Sequence, residues 1–125
     1  DELCFRRQYD DWAVRRDVDF TPTIDRPAGG WDGHVGLVTT LLDGLDVDRK
    51  SAYAVSCGPE IMLRFVAHKL VDVGFLPEHV YLSMNRNMTC GMGICGRCNV
   101  GDRYLCKDGP DLSYAEVLHV PYALG

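Results

Sequence analysis

The sequence has no long apolar run and no excess of positive charge, and each absence argues against a class of function. No stretch approaches the roughly 18 apolar residues of a membrane-spanning helix, and Asp1-Glu2-Leu3-Cys4 lacks the basic and apolar regions of a secretory leader. The formal net charge of -5 gives no support for binding to nucleic acid or to a membrane surface. No internal repeat or low-complexity tract is present. We therefore expect a cytoplasmic protein.

Cysteine is distributed unevenly along the chain. Three of the six cysteines fall, with three glycines, in the nine residues CGMGICGRC at positions 90–98. Because glycine loses more backbone entropy on folding than any other residue, this density indicates a backbone folded tightly around something. Cytoplasmic thiols stay reduced, so clustered cysteines favour metal ligation over a disulfide framework. Cys4, far from the cluster, is expected to be a small buried hydrophobic residue.

The four clustered cysteines, Cys90, Cys95, Cys98 and Cys106, have the spacing C-x4-C-x2-C-x7-C. The first gaps match the plant-type pattern for a 2Fe-2S cluster, in which one loop wraps the cluster and a fourth cysteine returns from farther along the chain. Glycines in such a loop let backbone amides turn toward the sulfurs of an anionic centre. Four basic residues against one acidic residue in the segment 85–107 also suit a buried anion.

Structural zinc is the alternative metal, because zinc also accepts four thiolates. Zinc sites usually take their thiolates from closely paired cysteines, and only Cys95 and Cys98 make such a pair here. The spacing therefore favours the cluster. A non-redox zinc-binding interaction module stays open as a second hypothesis from another functional class.

Short β-like segments alternate with longer helical ones, which predicts an α/β fold in which helices flank a parallel sheet. The strongest helix signal begins at Pro59 and continues at a 3.6-residue period until Gly74. Residues 1–84 are predicted to form one region, and residues 85–125 a small cluster-binding segment with a tail. Shorter helices are predicted at Gln8–Arg15 and Val35–Leu42, and strands at Val18–Ile24, Ala52–Ser56 and, as the last strand, His79–Met84.

Two turns are candidate binding sites. Cys57-Gly58-Pro59 joins a predicted strand to a helix N-terminus, where backbone amides and the helix dipole can meet an anionic or polar ligand. Asp25-Arg26-Pro27 follows the predicted edge strand and is able to face a ribose hydroxyl or a phosphate. Taken alone, each segment is also typical of an ordinary turn, and Cys57 of a plain packing residue. Both interpretations stay open on the residues alone.

Taken together, SCGPEIMLRFV and the later MTCGMGICGRCNVGDRYLCKDGP resemble the C-terminal part of ferredoxin-reductase-like electron-transfer subunits. The likeness is to the gamma subunit of cytoplasmic nickel–iron sulfhydrogenases and to the related electron-transfer component of anaerobic sulfite reductase. The electron-transfer subunit of dihydroorotate dehydrogenase is a nearby relative. The resemblance extends over nearly the whole chain, including TIDRPAGGWDGHVGLVT.

The resemblance implies a flavin- and nicotinamide-dependent reductase that ends in a 2Fe-2S domain. Residues 1–84 would then be the C-terminal portion of its NAD(P)-binding, ferredoxin-reductase-like domain, and residues 85–125 its 2Fe-2S cluster-binding segment and tail. It implies that the four clustered cysteines ligate the cluster and that the Cys57-Gly58-Pro59 turn lies where nicotinamide meets flavin. Electrons would pass between NAD(P)H, FAD and a catalytic hydrogenase or reductase subunit, with a dihydroorotate dehydrogenase as the alternative partner. No residue of this chain is then required as a general acid or base.

The resemblance also implies parts that this sequence lacks. Neither a flavin-binding barrel nor the glycine-rich first strand of the nucleotide domain is found, so we expect a C-terminal piece of a longer subunit that holds FAD elsewhere. Asp25 and Arg26 are implied to lie near the adenosine ribose. Asp25 favours NADH, whereas Arg26 is able to pair with the 2′-phosphate of NADPH. Asn85 stands where relatives often carry Glu.

Overall fold

The computed structural model describes residues 3–121, 123 and 124. Asp1 and Glu2 of the N-terminal segment, and Tyr122 and Gly125 of the predicted tail, lie outside the described residues. The chain divides into two units, Asp1–Val38 and Thr39–Gly125. Among the described residues no helix combines the length and the apolar character needed to cross a membrane.

Aromatic rings organise the first unit. A 3-10 turn, Arg6–Gln8, leads into the short helix α1, Tyr9–Ala13, which confirms the helix predicted there. The ring centroid of Phe20 lies 4.8 Å from that of Tyr9 and 5.2 Å from that of Trp12. Aromatic pairs at such separations attract each other beyond their burial of area. The segment after α1 is therefore held against this helix by its phenylalanine.

A two-stranded parallel ladder completes the first unit, with strands β1, Thr23–Ile24, and β2, His34–Val35. The strand predicted to start at Val18 is wrong except for its last two residues, because the ring of Phe20 packs on α1. The helix predicted over Val35–Leu42 is also displaced. Val35 belongs to β2, and the helical stretch is a 3-10 segment, Val38–Gly44.

The long helix of the second unit confirms the strongest sequence prediction. The unit begins its regular structure with strand β3, Ala54–Cys57, and helix α2, Glu60–Asp72, follows at once. Pro59 occupies the N-cap, and Gly74 takes a φ of 108° just beyond the C-terminal end, a conformation that glycine adopts at low cost. The helix buries one face through residues three and four apart, namely Leu63, Val66, Ala67 and Leu70.

A three-stranded sheet of order β3-β4-β7 packs against α2. Strand β4, Val80–Ser83, lies parallel to β3 and antiparallel to β7, Asp111–Ser113. The sheet is mixed, so the predicted parallel sheet is not confirmed as a whole. The segment at residues 79–84 is not the last strand either. Two antiparallel strands lie between β4 and β7, namely β5, Asn99–Val100, and β6, Arg103–Tyr104. Helix α3, Leu105–Asp108, follows β6, and helix α4, Tyr114–Val117, follows β7.

One hydrophobic core serves both the sheet and the cysteine-rich segment. Val80 and Leu82 of β4 are fully buried, and Met84 continues their alternation. Cys98, Val100 and Leu105 belong to the same buried cluster. The domain boundary predicted between residues 84 and 85 stays a prediction. The second compact unit of the structure includes residues on both sides of this boundary.

Helix α4 begins with a reciprocal cap. The backbone N–H and the Oγ of Ser113 both donate to the Glu116 carboxylate, at 2.9 Å and 2.8 Å, and the Ser113 side chain also meets the backbone of the third helical residue. Such a capping box satisfies donors that the first helical turn leaves unpaired. The bonds from Ser113, backbone first, lower the pKa of Glu116, and the nearby Arg103 acts in the same direction.

We predict that Ser113→Ala lowers the free energy of unfolding by about 1 kcal/mol, the usual cost of losing an N-cap side chain. Because the pKa of Glu116 is lowered in the folded state, its contribution is present at neutral pH and is lost as the pH falls through that pKa. Urea unfolding should therefore show Glu116→Gln less stable than the unchanged protein at pH 7. The difference should shrink below about pH 4, near the ordinary pKa of glutamate. Glu78→Gln, at an exposed position, is the control, and an equal pH dependence in both variants would contradict the capping role.

Candidate metal centre

The loop that follows β4 and the β5–β6 hairpin bring the four predicted cysteine ligands into one region. Cys90 and Cys95 lie on the loop, Cys98 immediately precedes β5, and Cys106 lies in α3. The hairpin returns the chain so that the Leu105 N–H donates to the Cys98 carbonyl at 3.2 Å. Cys98 and Cys106 therefore lie close together although seven residues separate them.

The four thiols lie in one neighbourhood. Cys98 and Cys90 both act electrostatically on Cys106, and the amide and thiol of Cys95 act on Cys90. Within the described residues, no three histidine, cysteine or acidic side chains converge on one point in a way that would hold a single metal ion.

Backbone amides point at the sulfurs. Cys90 Sγ accepts three N–H groups, those of Met92 at 3.4 Å, Ile94 at 3.4 Å and Cys95 at 3.5 Å. Cys106 Sγ accepts one, that of Gly93, at 3.2 Å. Successive N–H groups in a loop form a concave site that stabilises negative charge.

Glycines make this loop conformation accessible. Gly91, Gly93 and Gly96 have φ values of 68°, 71° and 73°, in the left-handed region that other L-residues enter at a cost. A Cβ on Gly93 would also lie 3.3 Å from the Cδ of Lys107. The glycine density noted in the sequence therefore has a conformational cause.

The loop amides change the acidity of its thiols. Hydrogen bonds from the amides of Cys95, Met92 and Ile94 lower the pKa of Cys90 to about 6. A hydrogen bond to Cys98 and burial raise the pKa of Cys106, and the proximity of Cys98 and Cys90 acts the same way. Crowding several thiolates together is unfavourable unless a cation joins them. Because the thiolate is the form that binds a metal, this donor set fits a cationic metal centre.

The four cysteines differ in their solvent exposure. Cys98 is 2% exposed and packs in the core, Cys90 and Cys106 are half-buried, and Cys95 is exposed. The side chains of Met92 and Ile94 are also exposed, at 67% and 75%. The four cysteines therefore extend from the core at Cys98 to solvent at Cys95.

A cavity of about 420 Å³ opens at the N-terminus of α2. Two residues of the predicted turn, Gly58 and Pro59, line this cavity, whereas Cys57 is exposed at the end of β3 and is not among the lining residues. The remaining lining residues are Glu60, Leu63, Met84 and Asn85. Because Met84 and Asn85 lead directly into the cysteine loop, the cavity and the loop share one segment of chain.

An ion pair that sequence reasoning missed joins the cavity to this segment. Arg86 Nη1 lies 2.7 Å from Glu60 Oε1, and Arg86 Nη2 donates to the Ala123 carbonyl at 2.8 Å. Glu60 and Arg86 are 26 positions apart in the sequence. No local sequence pattern predicts a contact between residues so far apart. The only indication in the sequence was the excess of basic residues in the segment 85–107.

The remaining candidates lie in the first unit. Asp25 and Arg26 follow β1, and both are exposed. They belong to the first unit, whereas the cavity and the cysteine loop belong to the second. Cys4 is exposed, and the expectation that it is buried is wrong. It precedes Phe5, whose φ of 59° begins a 3-10 turn on the surface rather than a strand in a core.

Residues 85–118 match the family model described as the iron-sulfur cluster binding domain of dihydroorotate dehydrogenase B. This range contains all four clustered cysteines. It also contains β5, β6, β7 and α3, so the matched region includes the hairpin that returns Cys106 to the loop.

Among curated relatives, the sulfhydrogenase 2 gamma subunit of Pyrococcus furiosus is 41% identical over 87 residues, or 66% of this chain and 30% of the relative. The sulfhydrogenase 1 gamma subunit of the same organism is 31% identical, over 96% of this chain and 43% of the relative. A probable dihydroorotate dehydrogenase B (NAD(+)) electron transfer subunit of Thermoplasma volcanium is 35% identical, over 97% and 43%. The chain spans less than half the length of these relatives.

A solved structure of an NADH-dependent reduced ferredoxin-NADP oxidoreductase, described in connection with flavin-based electron bifurcation, is also similar. Its TM-score is 0.57 and its sequence identity is 29%, over 83% of this chain and 37% of that one. The resemblance to electron-transfer subunits is therefore confirmed in both sequence and structure.

We predict that Gly93→Ala reduces the iron that the protein retains. A Cβ would strain the backbone at a φ of 71°, press on Lys107 and disturb the N–H that Cys106 Sγ accepts. Gly44→Ala is the matched control, because its Cβ would enter open space. Iron per chain after anaerobic reconstitution and gel filtration should fall only in the first variant. Equal iron in both variants would show that the Gly93 conformation is not needed.

Proposed function

We propose that this chain, which is homologous to sulfhydrogenase gamma subunits and to electron-transfer subunits of dihydroorotate dehydrogenase B, is an electron-transfer module with a 2Fe-2S cluster on Cys90, Cys95, Cys98 and Cys106. The module passes electrons between a nicotinamide–flavin pair and a catalytic partner subunit. The observation that carries the proposal is the set of backbone amides in the cysteine-rich loop that donate to Cys90 Sγ and to Cys106 Sγ, which α3 brings to the same loop.

The cysteine spacing supports a two-iron centre over one zinc ion. C-x4-C-x2-C followed by a fourth cysteine is the plant-type pattern for a 2Fe-2S cluster. A structural zinc ion usually takes its thiolates from closely paired cysteines, and only Cys95 and Cys98 make such a pair here. The amides that bond to Cys90 and Cys106 further suit a centre whose four thiolates make it anionic.

The cluster, when bound, exchanges one electron at a time, whereas a hydride from a nicotinamide carries two. The chain itself contributes the surroundings. Loop amides stabilise negative charge on the sulfurs, and the core keeps water away from Cys98. No side chain of the loop is needed as an acid or base, because electron transfer moves no proton at these residues.

The turn Cys57-Gly58-Pro59 is proposed to receive the nicotinamide–flavin pair. Gly58 and Pro59 border the cavity at the N-terminus of α2, where helix amides favour a polar or anionic group. The Glu60–Arg86 ion pair leaves the cavity wall without a net charge on that side. Since FAD and NAD(P)H are both larger than this cavity, we propose that the rest of each cofactor is bound by other parts of the complete enzyme.

The partner is proposed to be a catalytic oxidoreductase subunit in the cytoplasm. Two gamma subunits of sulfhydrogenases are among the relatives, which favours a hydrogenase partner. A sulfite-reductase-type partner is proposed on the sequence resemblance alone. Dihydroorotate dehydrogenase is the second candidate. The family model at residues 85–118 and a relative aligned over 97% of the chain favour it.

We predict two irons and two acid-labile sulfides per chain in anaerobically prepared protein, with the visible absorbance of a 2Fe-2S centre. Cys106→Ser should lose most of this iron, because one iron would lack a thiolate. Cys4→Ser is the matched control and should keep the full amount, since Cys4 lies far along the chain on an exposed surface. Stoichiometric zinc without iron in protein from its native cells would refute the redox function, and equal loss in both variants would refute the ligand assignment.

We also predict that the enzyme prefers NADH and tolerates NADPH. Asp25, which follows β1, accepts hydrogen bonds from the ribose 2′-hydroxyl and repels a 2′-phosphate, whereas Arg26 attracts that phosphate. Steady-state kinetics of the complete enzyme should show that Asp25→Ala lowers the ratio of kcat/KM for NADH to that for NADPH. Arg26→Ala should raise this ratio only slightly. Selective loss of NADPH use in Arg26→Ala, with an unchanged ratio in Asp25→Ala, would make arginine the determinant instead.

A further inference from the structure

The hairpin of β5 and β6 lies between two of the candidate ligands, because Cys98 precedes β5 and Cys106 follows β6 in α3. Within the described residues, its two strands pair with each other and not with the three-stranded sheet. Helix α2, with the cavity at its N-terminus, packs on that other sheet. The position of the hairpin relative to the cavity is therefore not set by a shared strand ladder, and other contacts must set it.

The segment that follows α4 supplies one of these contacts at the turn of the hairpin. A Cβ on Gly101 would lie 2.9 Å from Val120 Cγ2, so the valine packs directly on the glycine of this turn. The Ala123 N–H donates to the Val120 carbonyl at 3.2 Å, and Ala123 is 4% exposed. Val120 and Ala123 therefore belong to one short, hydrogen-bonded piece of chain. We call the segment Leu118–Leu124 the brace.

Arg86 joins the other end of the brace to the cavity. Its Nη2 donates to the Ala123 carbonyl at 2.8 Å, and its Nη1 donates to Glu60 Oε2 at 2.8 Å. Glu60 is the first residue of α2 and lines the cavity. The Arg86 and Glu60 side chains are 24% and 36% exposed, so water screens this pair less than a pair on the open surface. A planar guanidinium also holds its two acceptors in a fixed relative geometry.

We infer that Arg86 is a positioning residue which, through the brace, holds the β5–β6 hairpin in a fixed relation to the cavity. The inference rests on the proposed function, in which the cavity receives the nicotinamide–flavin pair and the hairpin carries cluster ligands. Arg86 acts through Glu60 and Ala123. Electron transfer from the reduced flavin to the cluster breaks no bond, since the flavin loses one electron and the cluster gains it. Its rate therefore depends on the placement of the two sites.

A second ion pair on the same hairpin provides the comparison. Arg103 of β6 lies 3.2 Å from Glu116 of α4, and the two side chains are 49% and 40% exposed. This pair joins the hairpin to α4 and has no partner in α2 among its described contacts. Arg103→Met therefore removes an arginine–glutamate pair from the hairpin and leaves the connection to the cavity in place.

Rapid mixing of the complete enzyme with saturating NADH, without oxygen, tests the inference. Reduction of the flavin and reduction of the cluster are followed by their separate absorbance changes. Arg86→Met should leave flavin reduction within about twofold of the unchanged enzyme and slow cluster reduction about tenfold or more, since small misplacements have effects of this order. Arg103→Met should change neither step.

Two further variants separate the brace from the charge on Glu60. Adding Glu60→Gln to Arg86→Met removes the carboxylate left without Arg86, and cluster reduction should stay slow because the brace is still detached. Val120→Ala weakens the other end of the brace and should slow the same step. Amide hydrogen exchange of protein without cofactors gives an independent measurement. The Ala123 N–H should exchange faster in Arg86→Met and in Val120→Ala, but not in Arg103→Met.

The outcomes are distinct. Cluster reduction at the unchanged rate in Arg86→Met, its recovery on adding Glu60→Gln, or equal slowing of both steps would overturn the inference while the proposed function stands. Equal slowing in Arg103→Met would overturn it as well, because any ion pair on the hairpin would then serve. An unchanged enzyme whose cluster is not reduced by NADH would overturn the proposed function, and the inference with it.

Discussion

The burial of Cys98 in the common hydrophobic core is the constraint on which the cysteine loop depends. Its side chain packs with the residues that also contact the sheet and α2, so the loop is fixed to the fold at one of its own candidate ligands. From this fixed point the hairpin returns Cys106, and the preceding residues extend toward solvent with Cys90 and Cys95. A close-packed core transmits any change of volume. A larger or smaller residue at position 98 would therefore disturb both the fold and the thiol arrangement.

The sequence predicted features that are encoded locally. Helix α2 follows from its apolar periodicity and its Pro and Gly boundaries, and the proximity of the cysteines follows from their short spacing. Strand β7 was missed because its three residues, Asp111–Ser113, are too few to establish a strand pattern and become a strand only by pairing with β4. The Arg86–Glu60 ion pair was missed for the same reason, since both partners are polar residues of distant segments. The return of Cys106 to the loop, where its Sγ accepts the Gly93 N–H, also required the three-dimensional path of the hairpin.

The segment Met84–Arg86 connects the two parts of the candidate site. Met84 and Asn85 line the cavity, and Arg86 holds both Glu60 at the start of α2 and the carbonyl of Ala123 near the end of the chain. Arginine is suited to this position because its planar group can bond to several acceptors at once. A movement of the cavity wall would therefore also move the start of the cysteine loop. This connection favours a constant distance between the cavity and the cysteine loop.

The donors around the thiols belong to the main chain. Met92 and Ile94 contribute their N–H groups, while their side chains extend into solvent. Any residue except proline can supply the same N–H at these two positions, since proline alone has none. The side chains at positions 92 and 94 can therefore be altered by mutation while the N–H groups that bond to Cys90 Sγ stay in place. In engineering terms, the solvent-facing surface of the proposed electron-transfer module and the surroundings of its sulfurs are separately adjustable within residues 90–98.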